Sequence, residues 1–189
     1  MKNKFLVILL FPAFLFAAST LVSPIPVKNK FNISVLYDIN NTNSILNNLS
    51  IYSGYGLDDK RELGTFVYIN GALLNFKGII SQIEPFTVSG MFEIGYDLTQ
   101  GFNTGLSIFL DVELYKIIGV YVGARGRYPS IFLLNSSGRV EQGVNFIPFA
   151  GIHILRNSSF SFLIEGGLSF SWNNQYPLPV ISCGINYLF

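Results

Sequence analysis

Hydrophobic and polar residues alternate along most of the chain with a period of two. Between residues 86 and 97, apolar side chains such as Phe86, Phe92 and Tyr96 take the even positions, whereas the charged residues Glu93 and Asp97 take odd ones. This period is typical of a β-strand whose two faces meet different surroundings. Six such segments are predicted, at residues 86–97, 102–113, 117–128, 143–154, 159–171 and 178–189. The sequence therefore predicts an all-β protein.

One face of these six segments is apolar, and the other carries the charges. Glycine and serine lie between the charged residues, as a narrow interior requires. The predicted inner charge network comprises Glu93, Asp97, Asp111, Glu113, Arg125, Arg127 and Glu165. Five acids against two bases leave three excess negative charges inside.

The length of the segments and the composition indicate which face meets lipid. Each segment has about 11 to 13 residues, whereas soluble strands usually have about 5 to 6 and a tilted membrane strand about 9 to 11. The chain is 50% hydrophobic but only 12% charged, too few charges to solvate a soluble exterior. Strands in hydrocarbon must close into a barrel to pair every backbone group. We therefore expect a closed, antiparallel transmembrane β-barrel with its charges inside.

The number of strands depends on the region before residue 86, where segments 31–38, 48–56 and 64–84 remain. A hairpin within 64–84, turning at Asn70-Gly71 or at Lys77-Gly78, gives ten strands; Asn-Gly is a favoured two-residue turn. If Phe31–Asp38 is instead a plug or lies outside the barrel, the number is eight. We expect ten.

The N-terminus predicts export. Lys2 and Lys4 precede an apolar run from Phe5 to Ala17, and small residues follow it, as in a cleaved secretory signal peptide. The expected organisation is a signal peptide at residues 1–19 and a single barrel domain at 20–189.

The last strand carries a family resemblance. It ends in Phe189, with Ile185 and Tyr187 on the same face, and resembles the C-terminal assembly signal of bacterial outer-membrane barrels. With the signal peptide and the alternation, the chain resembles the small outer-membrane barrels related to outer membrane protein A. The resemblance implies insertion into the outer membrane by the barrel-assembly machinery, with outer-membrane lipid as the surroundings and both termini in the periplasm.

Two constellations could carry function. Asp111 and Glu113 precede a tight turn, Arg125 and Arg127 follow it, and we predict salt bridges between these neighbouring strands that fill the lumen. A selectivity filter is the alternative. The second constellation is His153, the one histidine, which could pair with Ser161 or Ser169 on the next strand as in barrel lipases.

The predicted function is a small outer-membrane barrel, structural or weakly pore-forming, without enzymatic activity. The alternatives are a secreted soluble β-barrel that binds an apolar ligand and an outer-membrane lipid hydrolase. We expect no cofactor and no metal, because phosphate-loop and metal motifs are missing and a lone His153 cannot make a zinc site. Without a basic cluster, nucleic-acid binding is not expected.

Overall fold

Ten antiparallel strands form the fold in the computed structural model. It describes residues 28–39, 49–69, 71–98, 101–115, 117–128, 144–156, 159–171 and 177–189. The strands are β1 (Phe31–Asp38), β2 (Leu49–Gly56), β3 (Arg61–Tyr68), β4 (Gly71–Ile83), β5 (Phe86–Asp97), β6 (Gly101–Tyr115), β7 (Ile118–Tyr128), β8 (Asn145–Ile154), β9 (Phe160–Ser171) and β10 (Leu178–Leu188).

The strands close into one barrel. Each pairs with its neighbours in the chain, and β1 pairs with β10 to complete the ring, with Val35 opposite Ile185. The prediction of a closed ten-stranded barrel is confirmed. The eight-stranded alternative is wrong because residues 31–38 are a strand with a partner on each side.

The hairpin of β3 and β4 differs in part from the expectation. Strand β3 ends at Tyr68 and β4 begins at Gly71, which agrees with a turn at Asn70-Gly71, although Asn70 lies outside the described residues. The alternative turn at Lys77-Gly78 is wrong, because both residues lie inside β4. The connection expected at residues 56–64 is shorter, since β3 already begins at Arg61.

The predicted signal peptide, residues 1–19, also lies outside the described part of the chain. Within the described part, no helix is long and apolar enough to cross a membrane.

The two ends of the barrel differ. The terminus end holds Phe31 and Phe189, whose backbone N–H and C=O groups bond to each other at 2.9 and 3.0 Å. The strands meet there through short connections at 57–60, 84–85, 116–117 and 155–159. The loop end holds the longer connections 39–48, 129–144 and 172–177. Residues near either end can therefore be assigned to one mouth of the lumen.

Burial alternates along the strands as the period of two requires, but the hydrophobic side faces outward. In β6, Leu106 and Ile108 are exposed, whereas Ser107 and Asp111 are buried. Along the ten strands the exposed charged residues are Arg61 and Glu113, both near the terminus end.

An apolar cluster fills much of the interior, which the sequence analysis did not predict. Its buried members are Leu36, Tyr52, Phe66, Leu73, Met91, Phe109, Tyr121, Phe149 and Leu163. These side chains share their face of the strand with the charged residues. The lumen is thus a packed core with embedded polar groups.

Two glycines of β7 allow a test of this packing. A Cβ atom added to Gly123 would lie 2.6 Å from the Phe149 ring and against the Ile108 carbonyl, whereas one added to Gly126 would meet no atom within 4 Å. We expect Gly123→Ala to lower the free energy of unfolding by about 1 to 3 kcal/mol through overpacking. Gly126→Ala should leave it unchanged or raise it slightly. Denaturant titration of both variants measures this; equal effects would contradict the packed interior.

Candidate functional site: the charged lumen

Glu93 is the centre of one buried ion cluster near the loop end. Arg127 on β7 donates two hydrogen bonds to it, from Nη2 at 2.9 Å and from Nε at 3.2 Å. Arg125 Nε lies 3.4 Å from the same carboxylate and donates to Ser107 Oγ at 3.0 Å. All three charged side chains are almost fully buried. A carboxylate between two guanidinium groups is well neutralised in a medium that excludes water.

This contact crosses a glycine. Glu93 lies on β5, Arg127 lies on β7, and Gly105 on β6 stands directly between them in the register. A Cβ atom on Gly105 would lie 2.8 Å from Glu93 Oε2 and 3.0 Å from Arg127 Cγ. The glycine therefore lets side chains two strands apart meet over the strand that separates them.

The same arrangement joins Tyr121 to Glu165. The phenol of Tyr121 on β7 donates to Glu165 Oε2 on β9 at 3.1 Å. Gly151 on β8 stands between them in the register, and a Cβ atom there would collide with the Tyr121 ring. Gly105 and Gly151 are thus positions over which polar side chains two strands apart meet.

A second buried ion pair joins β3 and β4. Lys77 Nζ lies 2.7 Å from Glu62 Oε1, and the side chains are 0% and 2% exposed. Tyr52 on β2 donates a hydrogen bond to the same carboxylate oxygen. Because a lysine in an apolar interior is stable as a cation only when paired, this link must remain intact for the folded state.

A third ion pair lies at the terminus end. Arg156 follows β8, and its Nη2 lies 2.6 Å from Asp111 Oδ2 on β6. The side chain passes over Gly119 on β7, whose Cβ position would be 2.7 Å from Arg156 Nη1. A residue of a connection thereby contributes a charge to the lumen.

The predicted salt bridges between Asp111 or Glu113 and Arg125 or Arg127 are wrong. The register of β6 and β7 places Asp111 opposite Tyr121 and Arg125 opposite Ser107, so the acids and bases of this hairpin are at least four residues apart along the strand. Glu113 is also not part of a buried network, since it is exposed where β6 ends. Arg125 and Arg127 form their ion pairs with Glu93 on β5 instead.

The remaining predicted residues lie on the inner face, and further charged residues join them. Asp97 is buried near the loop end. Asp38, Glu62, Lys77 and Arg156 were not predicted to lie in the lumen. Among the described residues, the inward charged groups are then the acids Asp38, Glu62, Glu93, Asp97, Asp111 and Glu165 and the bases Lys77, Arg125, Arg127 and Arg156. Six acids against four bases give an excess of two negative charges instead of three.

Glu62 and Lys77 could have been found from the sequence. In β3, Glu62 lies on the same face as Gly64 and opposite to Leu63. In β4, Lys77 lies on the same face as Asn75 and opposite to Phe76. Alternation therefore assigns both charged residues to the inner face once the two strands are recognised. The position of the Arg156 side chain depends on the backbone conformation directly after β8, and alternation does not predict that conformation.

The alternative serine–histidine pair is not formed among the described residues. His153 is buried, and neither ring nitrogen has a hydrogen-bond partner among the described residues. Ser161 Oγ instead accepts from Asn186 Nδ2 at 3.2 Å, and Ser169 Oγ donates to Asn145 Oδ1 at 2.9 Å. Nucleophilic catalysis needs a base within hydrogen-bond reach of the hydroxyl. Among the described residues, no group of three or more His, Cys, Asp and Glu could hold a metal ion.

The residues of the predicted C-terminal signal lie on the outer face at the closing seam. Ile185, Tyr187 and Phe189 are exposed. The Phe189 ring stacks on Phe31 with centroids 6.0 Å apart and on Tyr187 at 5.6 Å. The seam thus has an aromatic contact outside and a polar one inside, where Ser34 Oγ donates to Asn186 Oδ1 at 2.9 Å.

Comparison with known proteins gives structural neighbours only. Neither a family model nor a curated protein matches the chain. Among solved structures, the chain is similar to the NanC porin, with a TM-score of 0.54 and 12% identity over 84% of this chain and 98% of that one. This likeness shows the fold, a porin-like β-barrel of the outer-membrane type.

Two weaker neighbours have TM-scores below 0.5. The outer membrane protein Ail of Yersinia pestis gives 0.36, with 13% identity over 86% of this chain and 100% of that one. The outer membrane channel DcaP of Acinetobacter baumannii gives 0.31, with 7% identity over 93% of this chain and 71% of that one.

The Glu62–Lys77 pair gives a test of the buried charges. We expect Lys77→Met to lower the free energy of unfolding by about 3 to 5 kcal/mol, because it leaves the Glu62 carboxylate buried without its cation. Adding Glu62→Gln should restore most of the loss, since no charge is then left unpaired. Denaturant titrations of the single and the double variant measure both.

The matched control is the exposed pair of Arg61 and Asp58. Arg61 Nε donates to Asp58 Oδ2 at 2.7 Å, and this bond holds the pKa of Asp58 below its usual value. Because water screens the pair, Arg61→Gln should leave the stability unchanged. A double variant as unstable as Lys77→Met alone would show that the pair has no such role.

Proposed function

We propose that this protein is an exported outer-membrane β-barrel with a structural role, whose lumen is closed by its own side chains and which catalyses no reaction. The observation that carries the proposal is the inverted distribution of polarity, with an apolar exterior around a charged interior. A band of apolar side chains free of charge is what lipid requires of a barrel surface.

The soluble alternative fits this distribution poorly. A soluble barrel that carries an apolar ligand needs a polar exterior and an apolar cavity. Here exposed residues such as Ile108, Val122 and Phe92 cover the outside, and the apolar side chains inside pack against one another. A hydrolase is also poorly supported, because His153 lacks a serine partner.

Closure of the lumen favours a structural role over an open pore. Lys77 is 0% exposed and Arg125 is 2% exposed, although both point into the barrel. A water-filled channel would leave such groups in contact with solvent. A barrel of about eight strands has an interior just wide enough for side chains to fill, and ten strands add only modestly to the diameter.

Membrane fractionation with gel mobility before and after boiling tests the proposal. We expect the protein in the outer-membrane fraction, with faster migration when unboiled, because a closed ladder without edges resists detergent until it is heated. Recovery in the soluble fraction without detergent would overturn the proposal.

Insertion by the barrel-assembly machinery is part of the proposal, supported by the resemblance of the last strand. We expect Phe189→Ala to reduce the amount of assembled barrel in the membrane. The matched control is Phe31→Ala, which removes the other ring of the same stacked pair but leaves the C-terminus intact. The amount of the heat-modifiable form is measured for each variant. A larger loss for Phe189→Ala than for Phe31→Ala would indicate that the assembly machinery recognises the C-terminal residue, whereas equal losses would indicate that only the ring stacking matters.

Planar-bilayer recordings test the closed lumen. The wild type should show no sustained channel openings, and any leak should favour cations because two inner negative charges are in excess. Replacing both Phe109 and Phe149, whose rings lie 5.5 Å apart in the interior, by Ala should increase the conductance. Phe92→Ala, which shortens an outward ring, should not. A wide, anion-selective wild-type channel would contradict both the closure and the charge distribution.

A further inference from the structure

The two residues that follow β8, Leu155 and Arg156, lie at the terminus end of the lumen. Leu155 has a φ of +60°, a left-handed conformation that residues with a side chain adopt uncommonly. The next residue, Arg156, bonds its backbone N–H to the Ile117 carbonyl at 3.3 Å. These two features direct the Arg156 side chain into the barrel instead of outward to solvent.

The guanidinium group of Arg156 occupies a site, here called the seat, that Asp111 of β6 and Gly119 of β7 form. Asp111 on β6 supplies the carboxylate, at 2.6 Å. Gly119 on β7 supplies the space, since any side chain there would collide with Nη1 at 2.7 Å. Within the seat the Arg156 side chain is 8% exposed and the Asp111 side chain 1% exposed, so the arginine shields the carboxylate from water.

His153 belongs to the same mouth. It lies directly opposite Gly119 in the register of β7 and β8, and is therefore next to the strand over which Arg156 passes. It is 3% exposed. A cysteine placed at position 153 can therefore report whether a reagent enters through the terminus-end mouth.

We propose that Arg156 is a tethered cap that closes the terminus-end mouth of the lumen by occupying a guanidinium seat formed by Asp111 and Gly119. The inference rests on the proposed closed barrel and names the residue that closes one of its mouths. When the cap leaves, the seat is open to small organic cations of the guanidinium type, for which a buried carboxylate is the natural partner.

A cysteine reporter tests the cap. In the full chain carrying Cys183→Ser and His153→Cys, the rate of modification by the small thiol reagent MTSEA is measured with Arg156 present and with Arg156→Ala. We expect modification at least tenfold faster without the arginine. Asp111→Asn, which keeps the arginine but removes the carboxylate that holds it, should also increase the rate. Arg61→Ala, which removes an exposed arginine from the same end, should leave the rate unchanged.

Ethylguanidinium at millimolar concentration tests the seat itself. It should slow the modification of the Arg156→Ala protein and have no effect after Asp111→Asn is added. Equal modification rates with and without Arg156 would overturn the cap, and rapid modification without protection would overturn the seat. If Arg156→Ala does not fold, the Asp111→Asn rate decides, and a rate equal to that of the parent would then overturn the cap.

The proposed function is checked on the same preparations by heat-modifiable mobility. Normal mobility with an unchanged modification rate refutes the cap alone, whereas loss of membrane association by the parent protein refutes the barrel proposal.

Discussion

The hydrogen-bonded contact between β1 and β10 is the interaction on which the rest of the barrel depends. A sheet of ten strands that stayed open would leave two edges of unpaired N–H and C=O groups, which hydrocarbon cannot solvate. Once Phe31 and Phe189 join at the terminus end and Val35 pairs with Ile185, every strand has two neighbours. The exterior is then free to be apolar, and the polar groups must be accommodated inside.

Accommodation inside is a problem of distance as well as of charge. Oppositely charged groups meet inside either directly across neighbouring strands, as Glu62 and Lys77 do, or two strands apart above a residue that has no side chain. Gly105 and Gly119 provide such gaps for Glu93 with Arg127 and for Asp111 with Arg156. These links, together with the apolar cluster, fill the lumen with packed side chains.

The sequence predicted the fold closely and the contacts poorly, for one physical reason. Alternation reports which face a residue occupies, so β5 was predicted with both of its ends, Phe86 and Asp97, and nearly every other strand to within a residue or two. Contacts depend on register and on reach across the lumen. Counting from the β6–β7 turn would have shown that Arg125 lies several residues from Asp111 along the hairpin, although the irregularity between Glu113 and Tyr115 shifts the register by one residue. No pattern indicates that Glu93 binds Arg127 over a glycine. Apolar residues on the charged parity, such as Phe109, were the available sign of a filled interior.

A Cβ atom on Gly151 would collide with the ring of Tyr121, and this close contact has a consequence for how such a barrel can change over time. The outer face accepts any lipophilic side chain of roughly any size, so single substitutions there are free to accumulate. Inside, a larger residue at one position requires a smaller one on an adjacent strand. A gain of side-chain volume at one inward position must therefore be offset by a loss at a neighbouring one. A wider lumen would arise through paired substitutions instead of single ones.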